Sequence, residues 1–474
     1  MVDIFPTNVT QVDSNKDKVS FLAMKYKRPL RIAHVGNIAN NAYLAAKDQR
    51  RIGIEAHVFS PDYVHVMGFP EWEECYFQRD TNRGHFDPEF PEVSYKKPQW
   101  FHWGSWTSIL SSFAHDNKEP LQAGIKKFKF NFVFNRMTYE LWKFFRPYLK
   151  SITPKRVRSW AVNSVLIKIR KTGANPAKLV LDTFDVVHFY GPYNFLTTLV
   201  QLKPSFVSTE HGTLRDYIFS DYEQARMSKI GYQNSKAVII TNQDSLSYAL
   251  KVGVPPERII FGPHPINEDN FNKLNLKRLQ FKPEDLKVLC PARQVKRNSI
   301  DAGKGNFEIL TAIKRSIDAG LRYRYLIPLW GDDVKSTLEL AEEWGINQKI
   351  QWLPLLSRPA LQELMNECVA VIDQINVRAY GAIGADALAL GVPLITSSGL
   401  QNDKIAFGTV APVFDATDAN TILNHLKTLA EPTFDFQSHA EKSQKWFRSH
   451  ISKEIATSRA LDAYILALGN KRIK

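Results

Sequence analysis

The stretch from Val371 to Ser397, VIDQINVRAYGAIGADALALGVPLITS, predicts the central structural unit of the chain. An apolar run ends at Asp373, and the polar loop that follows ends in YGAIG, residues 380–384. The next residues, Ala385 to Leu390, favour a helix because alanine and leucine have high helix propensity. Gly391 is placed to end this helix in the left-handed conformation, and a short apolar strand follows.

The start of this predicted helix is suited to an anionic ligand. The first N–H groups of a helix have no partner within it and its dipole is positive there, so a phosphate group binds well. Asp386 lies in the first turns, where its carboxylate can also accept hydrogen bonds from a sugar diol. The alternative is a plain βαβ crossover whose glycines serve packing, and a glycine loop alone does not decide between the two.

Composition indicates a globular protein with more than one domain. The chain has 474 residues, 44% of them hydrophobic and 23% charged, and this length predicts two or three domains. Its three cysteines lie far apart and fit neither a metal site nor a disulfide pattern, which favours a reducing cytosol. Residues 1–20 do not resemble a signal peptide, and no apolar run reaches the ~20 residues that span a bilayer. We therefore expect a cytoplasmic protein, soluble or peripheral to a membrane.

Most of the net charge of +14 lies in one segment, residues 121–171. This segment contains thirteen Lys or Arg residues, a single acid, Glu140, and interleaved aromatic side chains. Three interpretations remain: a surface for an anionic membrane, a solvated face with its aromatics in the core, and a nucleic-acid site. We rank the membrane first and expect no nucleic acid, because no nucleic-acid-binding motif is visible. Upstream, the aromatic-rich residues 61–119 predict an insertion that serves as a lid or an acceptor site.

The apolar runs predict two α/β domains in series, each built on a parallel sheet. In the first, the strand from Leu30 to Val35 runs into a turn-rich loop at Gly36 and Asn37, followed by a helix and a strand. Such loops lie at the ligand-binding edge of α/β sheets, although turn chemistry alone also explains these residues. His211 follows another strand and occupies the equivalent place, with a structural histidine as the alternative. A second series of strands and helices begins at Leu286.

Three motifs in a fixed order resemble those of the retaining glycosyltransferases of family 4. They are Glu210-His211-Gly212, then Ala292-Arg293 with Gly303-Lys304-Gly305-Asn306, and Asp373-Gln374 followed by Gly381 and by ADALALGVP at residues 385–393. The resemblance extends over most of the chain and is weak in residues 61–180. It implies the GT-B fold, an α/β architecture of two Rossmann-like domains facing across a cleft, here with an aromatic and basic insertion in the first domain.

The resemblance also implies roles for single residues. Arg293 and Lys304 match the catalytic cations that stabilise the departing diphosphate, and His211 matches the histidine that touches the donor sugar. Asp386 matches the position that holds the ribose hydroxyls, where the family usually has Glu. The other implied donor-binding residues are Gly36, Asn37, Tyr380, Gly381, Gly384 and Arg378.

Arg378 is a departure from the family pattern. The family often has a second Glu eight residues before the ribose carboxylate, where it contacts the donor sugar, and Arg378 occupies that position here. An acidic donor sugar is compatible with this change, because arginine pairs with carboxylates in a bidentate way. An inactive homologue is compatible with it too.

The resemblance implies a division of the chain. It predicts an arm at 1–27, an acceptor domain at 28–275 with its insertion at about 61–180, a donor domain at 276–445, and a last helix at 446–474 that crosses back. We expect the arm at residues 1–27 to be loose.

The implied activity is transfer of a sugar from a UDP- or GDP-sugar to a hydroxyl of a surface-polysaccharide or lipid-linked glycan acceptor. We expect a retaining enzyme with no metal and no cofactor beyond the nucleotide-sugar, held at the inner face of the cell membrane by residues 121–171. Lys304→Ala and Asp386→Ala are then expected to abolish turnover and leave the melting temperature nearly unchanged. The alternatives are a non-catalytic scaffold of the same fold that binds membrane or glycan, and a sugar-nucleotide epimerase or hydrolase.

Overall fold

The computed structural model describes residues 15–61, 65–79, 94–116, 175–242, 244–273, 286–295 and 304–469. The predicted basic segment 121–171 and Gly303 lie outside the described residues. The strands are β1 (Arg31–Val35), β2 (Glu55–Pro61), β3 (Gln78–Arg79), β4 (Phe101–Gly104), β5 (Val186–Tyr190), β6 (Ser205–Glu210), β7 (Val238–Ile240), β8 (Ile259–Phe261), β9 (Leu286–Leu289), β10 (Tyr323–Pro328), β11 (Ile350–Leu353), β12 (Leu355–Leu356), β13 (Ala370–Ile372), β14 (Leu394–Thr396) and β15 (Phe414–Asp415). The α-helices are α1 (Asn15–Tyr26), α2 (Asn41–Arg51), α3 (Pro70–Glu74), α4 (Trp106–Asp116), α5 (Leu196–Leu199), α6 (Glu223–Asn234), α7 (Ser245–Val252), α8 (Asn306–Asp318), α9 (Val334–Glu343), α10 (Arg358–Met365), α11 (Gly381–Leu390), α12 (Leu400–Phe407), α13 (Ala419–Ala430), α14 (Phe436–His450) and α15 (Lys453–Ala467).

Two parallel sheets, one in each half of the chain, organise the fold. The first has the strand order β4-β2-β1-β5-β6-β7-β8, and the second has the order β11-β10-β9-β13-β14-β15. In the first sheet the order reverses between β1 and β5, and in the second it reverses between β9 and β13. Ligands of open α/β sheets bind outside the carboxyl ends of the strands at such reversals, so the topology marks one candidate site on each sheet.

The central strands are buried on both faces, which explains their continuous apolar sequence. Every residue of β5 and of β13 is buried. Helices cover both sides of a parallel sheet, so its strands lack the alternation of polar and apolar residues that a half-exposed strand shows.

The last helix, α15, joins the core of the first domain. Its residues from Ala460 to Ala467 pack in the same apolar cluster as Ile32 of β1 and Val186 of β5. The Tyr464 hydroxyl accepts a hydrogen bond from Gln49 Nε2 at 3.0 Å. The last described helix therefore returns to the first domain after the second domain is complete.

The expectation of a loose N-terminal arm is wrong for residues 15–26, which form helix α1. Leu22 is fully buried in the first-domain core. Lys18 donates a hydrogen bond to Ser458 Oγ at 2.7 Å and forms an ion pair with Asp462 at 2.7 Å, both on α15. The helix is held by these tertiary contacts rather than by its own weak amphipathic pattern.

A small element, here called the clasp, ties the two domains together. It consists of the antiparallel pair β3–β12 and of α3 packed against α10. The Phe77 N–H donates to Ser357 Oγ at 3.0 Å, and the Ser357 N–H donates to the Phe77 carbonyl at 3.0 Å. Because α3 and β3 belong to the predicted insertion, part of that insertion serves as a bridge between the domains.

Helix α11 begins at Gly381, four residues earlier than the predicted start at Ala385. The YGAIG sequence is thus mostly helical, contrary to the prediction of a loop. Gly384 packs tightly here, because an added Cβ would lie 2.8 Å from the Tyr380 Cβ and 3.2 Å from Leu394 of β14. Gly391 ends the helix with φ of +75°, as predicted.

Candidate active site

A cavity of about 420 Å³ lies between the domains, at the carboxyl ends of β1, β9 and β13. The surface that the first domain contributes is here called the first-domain wall. It is formed by Ile38, Ala39, His65, Met67, Trp72 and Glu73. The opposite surface is here called the cation wall. It is formed by Arg293, Lys304, Gln374, Gly381 and Ala382. The cavity therefore occupies the place that the strand orders indicate.

Two cations of the cation wall come from separate loops of the second domain. Arg293 follows β9, and its guanidinium lies 5.9 Å from the ring centroid of Trp330, which also lines the cavity. Lys304 precedes α8, and its Nζ donates a hydrogen bond to Gln374 Oε1 at 2.6 Å. These two residues were predicted to act together, and the structure places both on one wall.

Gln374 connects Lys304 to the start of α11. Its backbone has a φ of +49°, and its Nε2 donates to the Ala379 carbonyl at 3.0 Å. Gly381 has a φ of +59°, and a Cβ there would lie 2.9 Å from Gln374 Nε2. A side chain at position 381 would therefore displace the amide that holds Lys304, which gives this glycine a clear structural requirement.

The helix start contributes positive potential to the same wall. Gly381, Ala382 and Ile383, the first three residues of α11, all line the cavity. Their N–H groups precede the first helical hydrogen bond of α11, which the Gly384 N–H donates to the Tyr380 carbonyl. Together with the two side-chain cations they can stabilise an anion such as a diphosphate.

Asp386 lies one turn into α11 but does not line the cavity. It is fully buried, and its carboxylate forms an ion pair with Arg358 Nε at 2.7 Å. Arg358 also donates from Nη2 to the Ala382 carbonyl at 2.8 Å. Burial raises the pKa of Asp386, and the Arg358 charge opposes this rise. The carboxylate predicted to hold ribose hydroxyls is thus engaged in an internal ion pair.

Asp373 is a cavity carboxylate at the end of β13. It is buried, and burial raises its pKa to about 6, while the charges of Lys304 and Arg358 oppose the rise. Its position next to Lys304 balances part of the positive charge of the cation wall.

Gly36 and Asn37 turn away from the cavity, although they lie beside it. The Gly36 N–H donates to the Phe59 carbonyl at 2.8 Å. Asn37 is fully buried and bonds to the Gly68 carbonyl at 2.8 Å and to the N–H of Tyr43 at 2.9 Å. The next two residues of the loop line the cavity instead. Turn chemistry therefore explains Gly36 and Asn37 in this structure.

His211 lies in a row of aromatic rings behind the first-domain wall, in which Tyr190 is buried and His211 and His264 are half-buried. Its ring stacks on Tyr190 at 5.5 Å and on His264 at 5.7 Å, and its buried Nε2 has no hydrogen-bond partner in the described part of the chain. Burial holds the pKa of His211 well below its usual value, so the ring is neutral. His264 Nδ1 lies 3.1 Å from Oδ1 of Asn41, a cavity residue. His211 does not line the cavity; its ring stacks on His264, which contacts the cavity residue Asn41.

Tyr380, Gly384 and Arg378 also lie off the cavity surface. The Tyr380 hydroxyl donates to the Asp403 carboxylate, and its ring packs edge-on against Trp446 at 6.0 Å. Gly384 is buried within α11. Arg378 lies next to Gly399, where an added Cβ would come within 3.1 Å of its Cβ.

Several cavity residues had no signal in the sequence. Glu73 and Trp72 belong to a short helix in an aromatic-rich insertion, and Arg358 begins a helix that looks ordinary from its apolar pattern. The clasp brings these elements together, and its two-residue strands cannot be recognised from alternation. Gln374 belongs to one of the motifs, but its hydrogen bond with Lys304 depends on a left-handed backbone conformation that the sequence does not predict.

Within the described ranges, no group of three or more His, Cys, Asp or Glu side chains is arranged to hold a metal ion. None of the helices in the described part of the chain is long and apolar enough to cross a membrane.

Comparison with known proteins supports the architecture. No protein-family model matches the chain, and no curated protein sequence does. Among solved structures, sucrose-phosphate synthase from Thermosynechococcus elongatus is similar with a TM-score of 0.54 and 15% identity, covering 90% of this chain and 96% of that one. A glycosyltransferase from Rickettsia africae ESF-5 has a TM-score of 0.51 and 12% identity, covering 94% of this chain and 100% of that one. Two Rossmann-like domains across a cleft, the GT-B fold, are confirmed.

Proposed function

We propose that this protein is a glycosyltransferase that moves a sugar from a nucleoside-diphosphate sugar, a UDP- or GDP-sugar, to a hydroxyl group of a glycan acceptor. The observation that carries the proposal is the cation wall, where Arg293, Lys304 and the start of α11 converge on one side of a cavity between two sheets. The similarity in fold to a sucrose-phosphate synthase and to a glycosyltransferase adds support.

The proposed chemistry places the leaving group on the cation wall. The acceptor oxygen forms a bond to the anomeric carbon while the bond from that carbon to the diphosphate oxygen breaks. The electron pair of the broken bond stays on the diphosphate, whose growing negative charge Arg293, Lys304 and the α11 dipole stabilise. The acceptor proton passes to the departing diphosphate oxygen on the same face, so the configuration of the sugar is retained.

Metal independence and the place of action extend this proposal. Two side-chain cations and a helix start supply the positive charge that a divalent metal ion supplies in other phosphoryl sites. For the acceptor we propose a surface-polysaccharide or lipid-linked glycan at the inner face of the cell membrane. The thirteen Lys or Arg residues of the segment 121–171 support this location, because such a segment is attracted to anionic lipids.

A thermal-shift screen against UDP, GDP, ADP, CMP and their common sugar conjugates, with and without EDTA, tests the donor site. A ligand that binds only the folded state raises the melting temperature by mass action. We expect one diphosphate nucleotide to raise it, equally in EDTA, and Arg293→Ala to abolish the shift. Arg322→Ala, at an exposed position, is the matched control and should keep it.

Other results separate the alternatives. A protein that no nucleotide stabilises would contradict the proposal and favour a binding scaffold. Donor turnover that needs no acceptor would favour an epimerase or hydrolase. For a confirmed transfer, the anomeric proton coupling in the product distinguishes retention from inversion.

A further inference from the structure

The cavity is lined by one carboxylate from each domain. Among the described residues that line the cavity, the carboxylate residues are Asp373 and Glu73. Asp373 stands beside the Lys304 charge in the second domain. Glu73 belongs to α3 and is the acid of the first-domain wall, where it is only 4% exposed. A buried carboxylate facing a cavity needs either a cation or hydrogen-bond donors.

Glu73 is held in place by its backbone. Its carbonyl accepts hydrogen bonds from Asn267 Nδ2 at 3.1 Å and Asn270 Nδ2 at 3.4 Å, in the connection between the domains. Asn270 Nδ2 also donates to Gln362 Oε1 of α10 at 3.1 Å. The preceding residue, Trp72, packs in the apolar core of the clasp. The position of the Glu73 backbone is therefore set by both domains.

The side chain of Glu73 keeps its hydrogen-bonding capacity. Within the described ranges no donor forms a hydrogen bond to its carboxylate, whereas the neighbouring Glu74 accepts one from Lys47 Nζ at 2.6 Å. Among the positive charges that act on Glu73, that of Arg358 opposes the rise of its pKa most, but the Arg358 Nε already pairs with Asp386 at 2.7 Å. Glu73 thus offers acceptor oxygens to a ligand that carries donors.

The two positions where the resemblance places donor-binding carboxylates do not supply one to the cavity. Asp386 is fully buried in its ion pair, and Arg378 has the opposite charge and lies off the cavity surface. A polyhydroxylated ligand is bound well by charged acceptors, and hydrogen bonds from hydroxyl groups to an ionised carboxylate are stronger than neutral ones. The acid that lines the cavity opposite the cation wall is Glu73, which belongs to the first domain.

We propose that Glu73 binds hydroxyl groups of the sugar carried by the donor, so that the first domain recognises the sugar while the second holds the diphosphate. The inference rests on the proposed function and extends it to a residue outside the family motifs. Under this proposal, the sugar site is complete only when the clasp holds the two domains together.

The charge state of Glu73 provides a second test of this role. Burial raises its pKa to about 7; the charges of Arg358 and Lys47 oppose the rise, and those of Asp386 and Glu74 add to it. His65 is the remaining titratable residue of the first-domain wall. Since the ionised form accepts hydrogen bonds from two hydroxyls, we expect KM for the sugar nucleotide to fall as the pH rises through about 7.

The experiment compares the wild type, Glu73→Gln and the matched control Glu74→Gln. Affinities for UDP, GDP, UDP-glucose and GDP-mannose are measured by calorimetry, and turnover is measured with the sugar nucleotide that stabilises the wild type most. For Glu73→Gln we expect kcat/KM to fall by about 10²-fold or more, because a site built to bind hydroxyls is disrupted. The Kd for the free nucleoside diphosphate should change by less than about twofold. Glu74→Gln should keep the kcat/KM of the wild type and a pH-dependent KM, with the midpoint moved to lower pH because the Glu74 charge raises the Glu73 pKa; only Glu73→Gln should lose the pH dependence of KM.

A Glu73→Gln protein with unchanged kcat/KM would overturn the inference. A parallel loss of affinity for the free nucleotide would also overturn it, because Glu73 would then support the whole cavity. If Glu73→Gln does not fold, Glu73→Asp is the second variant, with an intermediate kcat/KM expected from a carboxylate that is one methylene shorter. A wild type that binds none of the four ligands overturns the proposed function itself, which is a different outcome.

Discussion

The two walls of the cavity differ in how they are built. The cation wall consists of loops that follow the strands of one sheet, and its Lys304, Gln374 and Gly381 contact each other within one domain. The first-domain wall takes two residues from the loop after β1 and the rest from an insertion that the clasp holds against the other domain. One wall is local to its sheet, and the other depends on the assembly of both domains.

This difference explains which residues were predictable. Motif positions on the cation wall correspond to cavity positions, because strand ends and a helix start are set by the local sequence. On the first-domain side, Gly36 and Asn37 are engaged within their loop, and His211 packs against other rings. The polar group that lines the cavity comes from the insertion instead. The comparison predicts that damage to the cation wall affects chemistry, and damage behind either wall affects stability.

The largest effect is expected for Asp386→Ala, and it concerns stability. The structure corrects the expectation of an unchanged melting temperature, because this change leaves Arg358 buried without its partner carboxylate. Removing one member of a buried ion pair costs about 3–5 kcal/mol. Urea unfolding measures the loss. Asp318→Ala is the control, because its pair with Lys314 is exposed and contributes about 0–1 kcal/mol.

Replacing both members should restore much of this stability. In Arg358→Met with Asp386→Leu, no buried charge is left unpaired, so the free energy of unfolding should exceed that of Asp386→Ala. An Asp386→Ala protein as stable as Asp318→Ala would mean that the ion pair is absent in solution, and Asp386 would again be available to a ligand.

Lys304→Ala should act on turnover. Removing one preorganised donor from a developing anion costs about 10²–10³-fold in kcat. The lysine side chain is only partly buried, so the melting temperature should change little. Steady-state kinetics and a thermal melt measure both quantities, with Lys314→Ala as the exposed control. A fully active Lys304→Ala protein would remove Lys304 from the catalytic site.

A fully buried histidine of β1, His34, predicts a loss of stability in acid. His34 lies 2.9 Å from the Tyr190 hydroxyl and 3.0 Å from Gln49 Oε1, and burial lowers its pKa from 6.5 to about 4. As the pH falls below 6.5, the unfolded chain binds a proton at this histidine and the folded chain does not, so stability falls until about pH 4. The loss from this residue is about 3 kcal/mol.

The measurement is the difference between wild type and His34→Gln in unfolding free energy from pH 7 to pH 4. Raised carboxylate pKa values elsewhere act in the opposite direction in both proteins, so they cancel in this difference. The wild type should lose more stability than the variant. Equal slopes would show that the ring is accessible to protons in the folded state.

The smallest effect is expected at the clasp. Ser357→Ala removes the oxygen that accepts the Phe77 N–H, and one buried hydrogen bond contributes about 1 kcal/mol. Thermal melts should show a small decrease, and Ser336→Ala should show a smaller one, because the Ser336 hydroxyl donates to Asp333 at 2.7 Å at an exposed site on α9. If Ser357→Ala leaves the melting temperature unchanged while the control behaves as expected, the clasp is open in solution.

Much of the fold could be predicted from the sequence, within limits that have physical causes. The central strands were found within about two residues, because buried parallel strands are continuous apolar runs. Helix α11 was predicted too short, since glycines weaken helix propensity but are required here for packing on β14. Helix α1 was missed because its contacts with α15 come from the other end of the chain.

Local sequence predicts two parallel-sheet domains and the loops at the ends of their strands, and the family resemblance predicts the two cations, Arg293 and Lys304, beside a helix start. The domains and loops follow from apolar periodicity, helix propensity and glycine placement, which act over a few residues. Only the tertiary structure decided that Asp386 pairs with Arg358, that His211 packs behind the wall, and that Glu73 faces the cavity. Those outcomes depend on which distant side chains share a buried space, and burial and charge pairing, unlike helix propensity, are set by the whole fold.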